Sequence, residues 1–306
     1  MKNISLTLLS TSLVLLGTSI SAKAANFSTN FSNNAVNLNL NGSAQFIDAG
    51  NRRVLGLTNV QGQAGSAFVS DPIPVQDDTS FNTKFTFRIL NTRRGPDASG
   101  RSADGLTFLL QSQGPNAIGG GGGGLGQQGI RPSLGIELDT FQNPVFNDIN
   151  GNHAAVNLNG EVMSVIQEPI ARPLATEETR TAWVDYNGDT NLLEVRVAET
   201  NNRPNAPVLT YNTDLSSVLG NEAFVGFTSG TGSGSGRHRL RSWEFESTPD
   251  RVVSPTEPPG NGEEPGEDPG EEPVTVPDPT SPLGLAGIGI LGLISLLRRD
   301  RQHRAS

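Results

Sequence analysis

In the stretch SFNTKFTFRIL, Phe81, Thr83, Phe85, Phe87 and Ile89 stand at every second position with polar residues between them. A period of two places those side chains on one face only if the backbone is extended. The segment TAWVDYNGDTNLLEVRVAE repeats the pattern twice around Asn187-Gly188, a turn dipeptide, and so predicts a hairpin centred there. AFVGFTSG and RLRSWEFES predict two further strands, and no segment carries a convincing helical period. Many short strands divided by Gly- and Asn-rich turns lead to an all-β fold, an antiparallel sandwich of two packed sheets.

The two ends of the 306-residue chain do not share this pattern. Residues 1–24 combine Met1-Lys2, an apolar run from Leu6 to Ile20 and the small-x-small ending Ala22-Lys23-Ala24, which predicts a cleaved export signal. An uncleaved anchor is the alternative, although the run is short for a bilayer. Residues 251–282 are rich in Pro, Gly and Glu and predict an extended, disordered linker without a core. Residues 283–306 hold an apolar run, Leu283 to Leu297, and the basic ending RRDRQHRAS, predicting an apolar helix that serves as a tail anchor or sorting signal. That leaves residues 25–250 as one domain.

The net charge of −9 divides into +2 for the first segment, −7 for the domain, −7 for the linker and +3 for the tail. An acidic domain beside an acidic linker argues against nucleic acid as a partner. With no cysteine, neither disulfides nor thiolate metal sites are available.

The chemistry concentrates in ELDTFQNPVFNDINGNH, Glu137 to His153, which holds three carboxylates and one of three histidines in the chain. Strand alternation puts Ile136 and Leu138 on one face, Glu137 and Asp139 on the other. Neighbouring carboxylates repel one another unless a cation sits between them. Phe141, Asn143, Asp148 and His153 follow in a turn-rich loop. Carboxylate, amide and carbonyl oxygens suit calcium, and an imidazole beside shared carboxylates suits a transition ion such as manganese. An exposed acidic strand edge is the plainer alternative. Two other stretches have structural readings: DYNGD, Asp185 to Asp189, as a hairpin turn, and Gly119 to Gly124 as a low-complexity loop without the Gly-Lys-Ser/Thr of a phosphate loop.

The segment resembles the metal loop of the legume-type (L-type) lectins, Glu-x-Asp-Thr-aromatic-x-Asn followed by Asp and His. Ile149 stands where that family often has Pro. The resemblance implies a jelly-roll, concanavalin-like sandwich. It makes Glu137, Asp139, Asp148 and His153 the Mn2+ ligands (or those of another transition ion). Asp139, the Phe141 carbonyl, Asn143 and Asp148 become the Ca2+ ligands. ADGLTFLLQ is similar to the family's Ala-Asp-Gly strand, implying a cis bond between Ala103 and Asp104 and a sugar-gripping Asp104. GGGGGGLGQQGI and VGFTSGTGSGSGRHRLRSWEF resemble its Gly-rich sugar loop and final strands, with a specificity loop at Ser233 to Gly236. The implied carbohydrate contacts are Asp104, Gly124, Phe141, Asn143, Gly232 and Ser233.

The tail resembles the bacterial PEP-CTERM sorting signal, with Val276-Pro277-Asp278-Pro279 as its box and Asp278 where Glu is usual. Together the resemblances imply an exported, non-catalytic protein binding glycans or polysaccharide. It would sit at the surface, outer envelope or matrix of a bacterium, with anchoring through the tail and homo-oligomerisation both left open. The rival reading is a glycoside hydrolase of similar fold acting on β-glucans, whose motif Glu-x-Asp-x-x-Glu is matched by ELDTFQ except at Gln142. An amide cannot protonate a leaving group, and retaining hydrolysis needs two carboxyls. A purely structural matrix protein leaves the carboxylate cluster unexplained.

Overall fold

The computed structural model describes residues 24–32, 36–91 and 102–248; the readings of residues 1–23 and 249–306 fall outside the described residues. In chain order the strands are β1 (Asn26–Thr29), β2 (Leu38–Gly42), β3 (Gln45–Asp48), β4 (Arg53–Thr58), β5 (Ala64–Val69), β6 (Ile73–Pro74), β7 (Phe81–Asn91) and β8 (Gly105–Gln111). They continue with β9 (Ser133–Asp139), β10 (His153–Leu158), β11 (Ile166–Pro169), β12 (Arg180–Asn187), β13 (Leu192–Ala198), β14 (Leu209–Asn212), β15 (Glu222–Gly230) and β16 (Gly236–Ser247). Two eight-stranded antiparallel sheets result. The first runs β14-β13-β12-β7-β16-β4-β3 with β1 beside β16; the second runs β11-β10-β9-β8-β15-β5-β2 with β6 beside β15. The sandwich expected from the period-two pattern is the one observed.

The alternation in β7 works as the sequence predicts: Phe81, Thr83, Phe85, Phe87 and Ile89 are buried between the sheets. From the second sheet Phe108, Phe227, Leu110 and Ile136 meet them. Phe227 lies edge-on to Phe85, with centroids 4.9 Å apart, and to Trp243 at 4.8 Å. Such pairs add to the burial of apolar area, which drives the two faces together. The one polar atom of the buried indole is satisfied, because Trp243 Nε1 donates to Thr83 Oγ1 at 2.9 Å.

Two expectations need correction. One short helix exists, α1 (Leu215–Leu219), capped by Asp214, whose Oδ1 accepts from Ser217 N at 3.2 Å. At five residues it is too short for a visible period, yet Leu215 and Leu219 bury one side of it. The hairpin of β12 and β13 is present, but Asn187 pairs with Leu192, so the loop is Gly188 to Asn191. Asn191, at φ 55°, takes the left-handed conformation that the Asn-Gly pair was expected to supply. Asp185, in that hairpin, pairs with Arg203 at 2.6 Å and Arg196 at 3.3 Å.

Under the loop that carries Gly119 to Gly124, a second small apolar cluster forms on the outer side of the second sheet. Phe68, Leu109, Ala117 and Ile130 make it. This cluster seats the glycine loop beside the ends of β8, β9 and β15, where the residues singled out above converge. The peptide between Ala103 and Asp104 is cis, as is Arg131–Pro132.

Candidate metal centre

β9 lies between β8 and β10, and its alternation sends Ile136 and Leu138 into the core. Glu137 and Asp139 point the other way. Asp139 stands opposite His153 on β10 and Gly105 on β8, so the imidazole and both carboxylates share a face. Ligand atoms of Glu137, Asp139 and His153 all lie within 4.8 Å of one another. His153 Nε2 is 3.8 Å from Glu137 Oε1. All three residues are buried, at 4%, 1% and 0% exposure, so water cannot screen their charges. The alternative of an exposed acidic edge is thereby excluded.

Burial, and then repulsion from Asp148, push the Glu137 carboxyl upward; burial, and then Glu137, do the same to Asp139. Among the described residues the cationic candidate in contact is His153, and burial holds its pKa below the ordinary value. Its tautomer follows from geometry: Nδ1 lies 2.8 Å from the Asn150 carbonyl, which can only accept, so Nδ1 carries the proton. That leaves Nε2 as a bare, buried lone pair without a partner. Asn143 Oδ1 is a second buried acceptor without a donor. Acceptors and carboxylates gathered without compensating donors fit a cation.

Asp148 stands beside this trio rather than inside it. Its Oδ2 accepts from Asn143 N at 2.5 Å, and it acts electrostatically on Glu137, Asp139 and His153. Phe141 N donates to Asp139 Oδ1 at 2.6 Å, which turns the following chain back over the carboxylates. Phe141, Asn143 and Asp148 therefore ring the trio from one loop, whose Pro144–Phe146 turn is 3₁₀.

Asp104 sits next door. Its peptide oxygen accepts from Thr140 N at 2.8 Å and Thr140 Oγ1 at 2.9 Å, tying it to the residue after Asp139. Its Oδ2 accepts from Gly232 N at 2.7 Å. Burial raises its pKa to about 6, partly offset by that Gly232 bond. Ser233 is exposed at the rim, and its carbonyl accepts from Gln61 Nε2.

Gly124 is displaced from its expected role. It is buried, and its N–H donates to Gly121 O at 3.1 Å inside the loop. The glycine facing the cluster is Gly123: a Cβ there would stand 2.6 Å from Asn143 Oδ1. Gly122, at φ 57°, supplies the left-handed turn that brings Gly123 so close. Gln127 was missed by sequence reading. It is buried, its Nε2 donates to Glu137 Oε2 at 3.3 Å, and it links the glycine loop to β9. No local motif marks it, because the contact exists only once the loop folds over the sheet. Gln142, the position where a hydrolase would carry an acid, donates Nε2 to Asp148 O at 3.1 Å.

Comparison with known proteins gives a consistent picture. Residues 24–259 match the family model described as "Legume lectin domain". The L-type lectin-domain containing receptor kinase VIII.1 of Arabidopsis thaliana is 33% identical over 225 residues, covering 69% of this chain and 30% of the kinase. The probable L-type lectin-domain containing receptor kinase S.7 of the same plant is 31% identical, covering 64% and 31%. The chain thus spans about a third of the length of these relatives. Among solved structures, basic winged bean lectin with Tn-antigen aligns at TM-score 0.62 and 26% identity, over 74% of this chain and 99% of that one. Peanut lectin with a nine-residue peptide aligns at 0.63 and 26%, over 74% and 98%.

Proposed function

The chain belongs to the legume lectin domain family, and from that premise we propose that it is a carbohydrate-binding lectin whose sugar site is organised by Ca2+ and a transition ion such as Mn2+. The lectin reading is favoured over a hydrolase, since Gln142 is an amide engaged with Asp148 O and offers no acid. The observation that carries the reading is the adjacency of Asp104 and Asn143 to the buried trio. Asp104 Oδ1 has no protein partner among the described residues, and Asn143 stands against the exposed glycine loop.

In this reading Glu137, Asp139, Asp148 and His153 hold the transition ion; Asp139, the Phe141 carbonyl, Asn143 and Asp148 hold calcium. The ions neutralise the carboxylates and lock the Phe141–Asp148 loop before any sugar arrives. A locked loop loses less entropy on binding. Asp104 then accepts from sugar hydroxyls, Asn143 presents its amide, and the Phe141 ring lies against an apolar sugar face. The backbone of Gly123, in place of Gly124, together with Gly232 and Ser233 forms the rim. Gln127 keeps Glu137 oriented.

Calorimetry with a panel of simple sugars in calcium tests this. Binding of at least one sugar that disappears when the ions are removed is the expected result. No binding by the metal-loaded protein to any sugar, on the panel or on a glycan array, would reject it. We also propose export directed by residues 1–24 and retention at a surface by residues 283–306. A chain lacking 276–306 should be released into the medium; the same fractionation as the full chain would oppose that.

A further inference from the structure

The domain is acidic overall, yet the outward face of the first sheet gathers arginines. On β16 ahead of Ser242 the odd positions point away from the core, so Arg237 and Arg239 face outward while His238 and Leu240 are buried. Arg239 pairs directly across the sheet with Arg88 of β7. Arg241 continues that alternation at the bulge between Leu240 and Ser242, beyond which the phase flips and Trp243 and Phe245 are buried. Arg52, just before β4, lies close enough to act on Arg241.

Opposing charge is scarce there. Among the described residues, Arg88 has one exposed carboxylate, Glu177, at 3.6 Å, and Arg241 donates to the Thr179 hydroxyl. The Nε atoms of Arg88 and Arg239 are buried and have no acceptor. Burial and then neighbouring arginines lower the affinity of Arg239 and Arg241 for their protons. Like charges directly opposed across a sheet destabilise it. By contrast, other outward cations of the same sheet are paired, Lys84 with Glu244 and Arg196 with Asp185. Among the described residues the arginine cluster is therefore a net cationic surface open to anions.

We propose that Arg88, Arg237, Arg239 and Arg241, with Arg52 at the edge, bind a linear acidic polysaccharide that carries carboxylates on its sugar units. A guanidinium takes a carboxylate through two parallel hydrogen bonds. The arginines stand about 4.8 Å apart across the strands and about 6.8 Å apart along one, a spacing comparable to one hexose unit. A flat sheet face suits an extended polymer rather than a small molecule. Nucleic acid fits less well, because among the described residues the exposed large apolar side chains include no aromatic platform for bases. The surface is distinct from the metal centre, which lies on the other sheet, and does not depend on it.

The test immobilises an oligoglucuronate, neutral dextran and duplex DNA and measures binding of the full chain at low and moderate salt. Binding to oligoglucuronate but not dextran, weakened by salt, is expected. Arg237→Gln with Arg239→Gln should weaken it at least about tenfold, with the melting temperature no lower than wild type and any simple-sugar binding unchanged. The same pair changed to Lys should recover only part of the affinity, because the charge returns without the fork. Asp104→Asn should leave oligoglucuronate binding intact. Absence of binding, or binding indifferent to the paired Gln variant, would overturn the proposal. Equal affinity for duplex DNA at matched charge would overturn the choice of polysaccharide.

Discussion

Asp104 stands just before β8 and Asp139 ends β9, with Gly105 directly opposite Asp139, yet substitutions at the two should fail differently. Asp139 is buried among the ligand atoms, so Asp139→Ala should lose ions, sugar binding and stability together. Asp104 acts on Asp139 through its charge and spends one side-chain oxygen on Gly232 N. Asp104→Asn keeps its size but presents an amide donor where a sugar hydroxyl needs an acceptor. Losing a charged hydrogen bond of roughly 1.5–3 kcal/mol weakens sugar binding at least about tenfold. Metal content by mass spectrometry and melting should stay near wild type; sugar binding equal to wild type would refute the role. A different residue sets acid stability. His238 is fully buried, with Nδ1 2.6 Å from Thr58 Oγ1 and Nε2 without a partner, and burial pushes its pKa down to about 3. The unfolded chain protonates it near 6.5, so between pH 6.5 and about 3 unfolding takes up a proton. This group's contribution is complete above pH 6.5 and is lost as pH falls, by up to ~1.4 kcal/mol per unit. Denaturant titrations from pH 6.5 to 4 should show a shallower loss in His238→Asn than in wild type. Parallel slopes would show that His238 is not held neutral.

At the scale of the elements, the glycine loop meets the loop that follows β9 closely at Gly123. A Cβ on Gly123 would stand 2.6 Å from Asn143 Oδ1 and 2.8 Å from Phe146 Cε2. Gly123→Ala should therefore push the Asn143 amide away and reduce sugar affinity roughly tenfold, the worth of one displaced hydrogen bond. Gly50→Ala, in a turn with nothing near its Cβ, controls for backbone strain alone; equal sugar affinity in the two variants would refute the contact. What the sequence revealed divides along the same line. β7 and β9 were legible because burial on one face imposes a period of two, and Glu137 and Asp139 could be assigned to one face from it. His153 was legible as a ligand type, while its register opposite Asp139 needed the pairing of β9 and β10. Gly123 and Gly124 were confused because six identical residues carry no pattern; only the 3₁₀ turn at Gly122–Gly124 distinguishes them. Gln127 and the bulge at Arg241 were illegible, since each depends on partners distant in the chain. The helix α1 was missed for its brevity.

For the whole molecule, the two sheets share one apolar core, and the candidate metal centre lies outside it, against loops that bury little apolar surface of their own. The loop from Phe141 to Asn152 is held chiefly by polar contacts: Phe141 N to Asp139 Oδ1, Asn143 N to Asp148 Oδ2, and Gln142 Nε2 to Asp148 O. Three of those partners are the carboxylates or carbonyl of the centre itself. Ions that bind only the folded chain add stability by mass action, about 2.7 kcal/mol at a hundred times the dissociation constant. For a domain of this size each kcal/mol moves the melting temperature by about 2–4 °C, so chelation should lower it on the order of 5–10 °C. Scanning calorimetry with and without chelator, after metal loss is confirmed, measures this; superimposable curves would count against the centre. One substitution separates electrostatic from purely geometric loss. Asp139→Asn removes a repelling charge from beside Glu137 while keeping the side chain's shape. In calcium it should melt below wild type, because a ligand is gone. In chelator it should melt above wild type, because the metal-free centre no longer confines that like-charged pair. If Asp139→Asn melts below wild type in both conditions, repulsion among the buried carboxylates is not what the ions relieve.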